Sequence, residues 1–134
     1  MDNYFLLIFL VCDQVRFFPA IDYVTNTVFW ADAKLDYIAM ADLNLQHRRR
    51  IMQNNHERPE HLRHVFAMTV FEDYLFWTDW ETKQIHKANK FSGMELAHVQ
   101  EAASHRPMDI QVFHPYRQTP RKFRITKFLF PKSK

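Results

Sequence analysis

The chain has little of three residues or patterns that often define a class of protein. It contains one glycine and one cysteine among 134 residues. A lone cysteine excludes an internal disulfide framework. The longest apolar run covers the nine residues Tyr4 to Cys12, far short of the roughly 20 that a membrane-spanning helix needs. We therefore predict no membrane span within this chain.

Net charge is also small, but it is unevenly distributed. Eighteen Lys and Arg against fifteen Asp and Glu give +3. Seven basic and no acidic residues lie in residues 117–134, so residues 1–116 carry eleven basic and fifteen acidic residues, a net of −4. A basic tail of this kind can attract nucleic acid or anionic lipid. The other interpretation, out-of-frame or intronic sequence, is the one we favour, and no nucleic-acid partner is predicted.

A near repeat is the most informative feature that is present. Val28-Phe29-Trp30-Ala31-Asp32 returns 47 residues later as Leu75-Phe76-Trp77-Thr78-Asp79. Flanking positions return in the same register, Ile38 matching Ile85. A repeat of this period is a supersecondary unit that cannot bury its apolar face alone and stacks on copies of itself.

Each copy has the composition of short strands. Runs of β-branched and aromatic residues at 27–31 and 74–78 follow turn-like segments, and further apolar strands are predicted at 18–23 and 65–71. Alternating segments around 37–40 and 84–88 supply the third strand of each copy. Four short strands in about 45 residues are typical of a β-propeller blade. The sequence therefore predicts an all-β fold.

The motif resembles that of a known family. Phe76-Trp77-Thr78-Asp79 is similar to the YWTD motif of the low-density lipoprotein receptor class B repeats, and Phe29-Trp30-Ala31-Asp32 to a variant of it. The longer strings at 22–34 and 71–83 resemble the giant lipoprotein receptor-related proteins and megalin. The stretch 105–115 resembles the strand that closes their six-bladed propellers. The motif residues carried over are Phe29, Trp30, Asp32, Phe76, Trp77, Thr78 and Asp79.

The resemblance divides the chain into parts. Six blades would need on the order of 260 residues, so we expect a partial propeller of about two four-stranded antiparallel blades and one closing strand. Residues 1–15 form an apolar segment, either a weak signal peptide or a non-native or buried strand. The first blade with its connecting loop spans 16–64, the second 65–104, the closing strand 105–118, and the basic tail outside the family pattern 119–134.

One turn departs from the family. Where the family has a Leu-Asp-Gly turn between the outer strands, the first copy has Leu43-Asn44-Leu45, whereas the second copy keeps Gly93. Glycine tolerates positive φ. Asn44 can adopt the left-handed conformation, but Leu45 does so only with strain.

The resemblance implies a function that is not enzymatic. It implies part of an endocytic receptor's ectodomain, at the cell surface and in endosomes, whose propeller binds extracellular protein ligands and helps to release them on acidification. Adjacent epidermal-growth-factor-like modules are the implied neighbours, calcium is expected only in such modules, and no cofactor is expected here. Since two blades lack the neighbours that should cover them, we expect an unstable monomer that associates or needs a folding chaperone.

Ligand contacts are expected on the face where the loops after the Trp-Thr-Asp strand and between blades emerge. Trp80, an indole flanked by charge, is the expected anchor, with packing between blades as the alternative. Histidine changes charge between the cell surface and the endosome. The candidate ligand-binding residues are Lys34, Asp36, Trp80, Glu81 and Lys83, and the candidate pH-sensing residues are His61, His64, His105 and His114.

Catalytic and metal sites are not predicted. Asp32 and Asp79 could serve as a carboxylate pair for glycoside hydrolysis in a propeller-scaffold enzyme, the competing functional class. Their equivalent positions in successive blades favour a structural role, accepting backbone hydrogen bonds. His56 and His61 are five residues apart with Pro59 between them, so they do not form the i, i+4 zinc pair of a helix. A non-functional partial gene product is the remaining alternative.

Overall fold

Eight strands are present in the part of the chain that the structure describes. A computed structural model describes residues 19–32, 34–54, 62–100 and 102–114. In these residues no helix occurs, and none therefore is long and apolar enough to cross a bilayer. The strands are β1 Ala20–Asp22, β2 Thr27–Asp32, β3 Tyr37–Asp42, β4 Arg49–Gln53, β5 Val65–Phe71, β6 Tyr74–Asp79, β7 Gln84–Asn89 and β8 Ala97–Gln100.

The strands form two four-stranded antiparallel sheets of the same topology. Blade 1 has the order β1-β2-β3-β4 and blade 2 the order β5-β6-β7-β8, so each strand pairs with its sequence neighbours. The central register is identical: Thr27 pairs with Asp42 in blade 1, and Tyr74 with Asn89, 47 residues later, in blade 2. The prediction of an all-β fold with two antiparallel blades is confirmed.

Side-chain alternation along the central strands decides which face of each blade meets the other. Phe29 and Ala31 of β2 and Leu75 and Trp77 of β6 join one apolar cluster, and these four side chains are at most 1% exposed. Residues i and i+2 of a strand share a face, so blade 1 uses the 29/31 face and blade 2 the 75/77 face. The cluster consists of Ala20, Phe29, Ala31, Ile38, Leu62, Val65, Met68, Val70, Leu75, Trp77 and Ala88.

The repeat therefore places its two tryptophans in different environments. Trp30, the equivalent of Trp77, lies on the opposite face of blade 1 with Val28 in a second cluster. Both are buried, at 8% and 3% exposure. Phe76, on the other face of β6, is half-buried, its ring centroid 6.5 Å from that of Tyr74. Blade 1 thus has a buried apolar surface on each of its faces.

Backbone strain recurs at equivalent positions of the two blades. Asp36 and Lys83, which are 47 residues apart, have φ values of 49° and 57°. The turn after β3 is one residue shorter than the turn after β7, since the Asp42 amide bonds to the Gln46 carbonyl and the Asn89 amide to Met94. Within these turns Leu45 (φ 58°) matches Gly93 (φ 67°). In the first turn Leu45, and not Asn44, therefore has the left-handed conformation. Of the two residues considered in the sequence analysis, this is the one that adopts it only with strain.

Residues 102–114 follow blade 2 without forming a strand. The Ala103 amide donates to the Lys83 carbonyl at 2.8 Å, and the His114 ring lies 4.9 Å from that of Phe71. The closing strand predicted from residue 105 is thus not formed as far as residue 114. A strand requires a ladder partner, and this segment is held instead by single contacts. Residues 115–118 of that prediction lie outside the described residues, as do the segments 1–15 and 119–134.

Candidate functional site

Asp79, at the end of β6, fixes the loop between the blades to the loop after β6. Its carboxylate is fully buried and accepts four backbone hydrogen bonds. One oxygen accepts from the amides of Arg63 and His64, both at 2.8 Å, and the other from Glu81 and Thr82 at 2.9 and 3.0 Å. A carboxylate saturated by backbone donors is a structural element, and this geometry agrees with the structural role expected for Asp79.

Asp32 makes half of the same arrangement within the described residues. One carboxylate oxygen accepts from the amides of Lys34 and Leu35 at 2.9 and 3.0 Å. These bonds match those from Glu81 and Thr82 to Asp79, one repeat later. The equivalents of Arg63 and His64 would be residues 16 and 17, which lie outside the described residues. Both aspartates of the motif are thus engaged with backbone amides.

Thr78 makes a buried hydrogen bond that its counterpart in blade 1, Ala31, cannot make. The Thr78 hydroxyl is buried and lies 3.1 Å from the Ala67 amide, which donates to it. Strand β5 has an irregular register with β6 between Val65 and Ala67, and this hydroxyl accepts the amide at that irregularity. Ala31 occupies the equivalent position in blade 1 and has no hydroxyl. Strand β1 spans Ala20–Asp22.

Trp80 is a packed side chain in the described structure. Its ring stacks on Phe66 at a centroid distance of 4.2 Å and on His64 at 5.6 Å. The Arg106 guanidinium lies 5.4 Å from the ring centroid, and the indole Nε1 donates to the Pro107 carbonyl at 3.0 Å. The side chain is half-buried. These contacts lie within blade 2 and the segment that follows it, so they are not the packing between blades named as the alternative for Trp80. The part of Trp80 in ligand binding stays a prediction.

The other residues expected on the ligand-binding face lie at the same end of the blades. Lys34, Glu81 and Lys83 are exposed, and Glu81 forms an ion pair of 3.1 Å with Arg63. Burial raises the pKa of Asp36, and the nearby Asp79 and Glu81 carboxylates raise it further. Since Asp36 belongs to blade 1 and the two carboxylates to blade 2, the loops of both blades meet here. We call this end, formed by residues 34–36, 62–64 and 80–83, the loop face.

The candidate pH-sensing histidines are not all brought together. His64 is exposed on the loop face against Trp80. His105 is exposed and its ring nitrogen lies 2.8 Å from the Ser104 hydroxyl. His114 packs on Phe71, at the opposite end of β5 and about 20 Å from the loop face at strand spacing. His61, like the His56–His61 stretch, lies outside the described residues.

The buried polar side chain of His86 was not anticipated from the sequence. His86 of β7 is 1% exposed, stacks on Trp77 at 5.6 Å and has its Nε2 2.9 Å from the Thr82 hydroxyl. Its equivalent in blade 1 is Ala39. Ala88, two residues later and therefore on the same face of β7, was the available signal that position 86 faces inward.

Lys90 and Asp22 form a buried ion pair between the blades. Lys90 Nζ lies 2.8 Å from the Asp22 carboxylate, and the side chains are 6% and 9% exposed. The ammonium also donates to the Glu72 carbonyl. Burial alone would raise the pKa of Asp22, but hydrogen bonds from Lys90, Thr25 and the Val24 amide outweigh it and lower that pKa. No sequence signal links residues 68 positions apart.

No catalytic constellation is assembled in the described residues. Three or more His, Cys, Asp or Glu side chains placed to hold a metal ion do not occur in that part of the chain. A shallow depression on the loop face is lined by Arg63, Glu81, Thr82 and Gln84. The charged side chains of Arg63 and Glu81 are exposed at this depression.

Comparison with known proteins agrees with this architecture. Residues 26–72 match the family described as low-density lipoprotein receptor repeat class B. Low-density lipoprotein receptor-related protein 4 of Homo sapiens, Mus musculus and Rattus norvegicus is 44% identical over 93 residues. That match covers 69% of this chain and 4% of each relative, so the chain spans a small part of their length.

A solved structure shows the same fold. A chain in the crystal structure of a nidogen/laminin complex superposes with a TM-score of 0.57 at 22% identity. The superposition covers 69% of this chain and 35% of that one. The resemblance to the YWTD repeats, and the fold of a partial propeller, are confirmed.

Proposed function

We propose, for a chain whose residues 26–72 belong to the low-density lipoprotein receptor class B repeats, that it supplies two adjacent blades of a receptor propeller that binds extracellular proteins. The observation that carries the proposal is the loop face. Asp79 holds the interblade loop and the loop after β6 together through four backbone hydrogen bonds. Loops held by a rigid sheet are a common platform for binding.

The role is non-enzymatic. The two acids that suited glycoside chemistry, Asp32 and Asp79, accept hydrogen bonds from backbone amides and hold loops. The curated relatives carry the name of a receptor-related protein. In the whole protein we place the loop face in the extracellular part of a membrane receptor, with epidermal-growth-factor-like modules as neighbours and a folding chaperone during synthesis.

Release of ligand on acidification completes the proposal. His64 is the histidine best placed for it, because it is exposed and stacks on Trp80 between the two blades' loops. Arg106 also lies 5.4 Å from the Trp80 ring centroid, and His64 interacts electrostatically with Asp36, which is near Asp79 and Glu81. Asp36, with its raised pKa, takes up a proton at higher pH than an ordinary carboxyl. Acidification thus makes this face more positive, which opposes the binding of a basic ligand surface.

A chimeric receptor tests the proposal. The matched 93 residues of human low-density lipoprotein receptor-related protein 4 are replaced by those of this chain, and the receptor is expressed on cells. We expect surface delivery, binding of that receptor's protein ligands at about pH 7 and uptake, with release at about pH 5.5. A chimera that reaches the surface but neither binds nor internalises ligand would contradict the proposal.

Single substitutions in the chimera test the histidine assignment. His64→Gln keeps a planar polar group but cannot be protonated in this range, so release at acidic pH should slow or require lower pH. His98→Gln is the matched control, because His98 is exposed on the outer strand β8. Equal release by both variants and the unchanged chimera would show that His64 has no part in it.

A further inference from the structure

The outer edge of blade 1 carries an unusual run of positive charge. His47, Arg48, Arg49 and Arg50 follow one another where the turn enters the outermost strand β4, and all four are exposed. Along a strand, residues i and i+2 are about 6.6 to 6.8 Å apart on one face. Arg48 lies in the turn, and Arg49 and Arg50 begin β4. These three residues, which we call the arginine edge, place three positive charges at consecutive exposed positions on the outer edge of blade 1.

The fold itself does not require this charge, because blade 2 has the same edge without it. When the one-residue difference in the preceding turn is included, Arg48, Arg49 and Arg50 correspond to Leu96, Ala97 and His98. Charged side chains on an edge strand also prevent pairing with other sheets. Blade 2 has an edge of the same kind with Val99 55% exposed, so edge protection does not account for three consecutive arginines.

The guanidinium groups are available to a ligand. Among the described residues the ion pairs are His47–Asp42, Arg63–Glu81 and Lys90–Asp22, and none includes the arginine edge. Arg48 donates to the Leu45 carbonyl and Arg50 to the Gln53 side chain, each through one nitrogen. A guanidinium has five N–H donors, so most remain for an anion. Asp42, the nearby acid, is occupied by His47 and by the amides of Asn44 and Gln46.

We propose that the arginine edge binds a sulfated glycosaminoglycan. Arginine binds planar or tetrahedral oxyanions through two parallel hydrogen bonds, and three consecutive exposed arginines favour a ligand that carries several anionic groups. Single-stranded nucleic acid would also need aromatic faces for its bases. The neighbouring aromatic ring, Tyr37, already has the Arg50 guanidinium 4.5 Å from its centroid. The choice of an extracellular polyanion rests on the proposed function, but its test does not use a receptor ligand.

Heparin oligosaccharide is the probe, and the full chain is titrated with it by calorimetry at several salt concentrations. The variant R48L/R49A/R50H gives blade 1 the residues of blade 2 at equivalent positions. We expect at least about a tenfold loss of affinity and a salt dependence lower by about two in log–log slope, as for three released counterions on a flexible polyanion. Heparin from which the N- and O-sulfates have been removed should not bind measurably to the unchanged chain or to the R48L/R49A/R50H variant.

The basic tail requires a matched control. R121L/K122A/R124H removes three charges with the same replacement residues from residues 117–134. We expect it to bind heparin with an affinity within about threefold of the unchanged chain, because tail charges act only by long-range attraction. Loss of binding in the tail variant with retention in the arginine-edge variant would overturn the proposal.

A gain-of-function variant keeps the test decisive if the first variant folds poorly. L96R/A97R/H98R transfers the arginine edge to blade 2 and should raise the number of heparin sites from one to two. No second site would contradict the proposal. Equally tight binding of a single-stranded oligonucleotide of the same charge would contradict it as well, since the site would then select charge and not a sulfated polysaccharide.

Discussion

The buried pair of Lys90 and Asp22 provides the sharpest test of how the blades are held together. Asp22 ends β1 of blade 1 and Lys90 follows β7 of blade 2, and their charged groups are 2.8 Å apart with less than a tenth of each side chain exposed. We consider Lys90→Met, Asp22→Asn and the double variant. Removing one member leaves a buried charge without its partner, whereas removing both leaves two neutral groups.

The structure sets the order of the effects. Breaking a buried pair by removing one partner costs about 3–5 kcal/mol. Lys90→Met should be at the lower end, because the Asp22 carboxylate keeps the Val24 amide and the Thr25 hydroxyl as donors. Asp22→Asn should be nearer the upper end, because the ammonium keeps only the Glu72 carbonyl and the new amide oxygen. The double variant should cost less than the sum by about 2 kcal/mol.

Urea unfolding followed by tryptophan fluorescence measures these free energies. Unfolding is recorded at several protein concentrations, because association would add a concentration-dependent term. The pKa of Asp22 is lowered in the folded chain. Its contribution is therefore fully present above the unfolded value of about 3.8 and is lost as pH falls through the lower folded value. A double variant that loses as much stability as the two single variants together would refute the assignment of this pair as a coupled interblade contact.

Three further substitutions and one measurement on the unchanged chain follow from the geometry. Asp79→Asn should cost about 2–4 kcal/mol in urea unfolding, because an amide NH₂ must face backbone donors that now bond to a carboxylate; a loss below 1 kcal/mol by the same assay would contradict the bridging role. Thr78→Val should cost about 1–3 kcal/mol by leaving the buried Ala67 amide without its acceptor, and an unchanged midpoint would show that the bond is dispensable. Gly93→Ala should lower the thermal midpoint, because its Cβ would lie 2.7 Å from the Ile51 carbonyl oxygen at a φ of 67°; a raised midpoint would mean that the turn relaxes freely. The unchanged chain should self-associate in light scattering, and a monodisperse monomer with sharp thermal unfolding would show that two blades are a domain in their own right.

Local pattern was sufficient to predict the first three strands of each blade and the role of the motif acids, but it did not locate the outermost strands β4 and β8. The 47-residue repeat placed the central strands at 27–31 and 74–78, and the structure has them at Thr27–Asp32 and Tyr74–Asp79. Alternation and β-branched composition are properties of the strand itself, so they are readable without tertiary information. The acceptance of backbone amides by Asp79 followed from its position at a strand end in each copy.

Contacts between segments distant in sequence were not predictable, because they depend on how the two sheets and the segment after blade 2 pack on one another. The sequence around Lys90 is typical of an exposed lysine in a turn. In the structure Lys90 is 5% exposed and forms an ion pair with Asp22 of the other blade. Trp80 has the flanking charge of an exposed anchor, yet Phe66 and Pro107 pack and bond with it. The strand expected after residue 105 needs a ladder partner, and none is supplied to residues 105–114.

The hydrogen bonds of Asp79 also bear on the order in which such a chain acquires its structure. The amides that this carboxylate binds lie only 15 and 16 residues upstream. Closing a loop of that length takes little time and entropy compared with pairing distant segments. Each blade can therefore be anchored to the preceding connection once its second strand has formed. A ring built from such units has a low contact order except at its final closure, so that closure would be the slow step during synthesis.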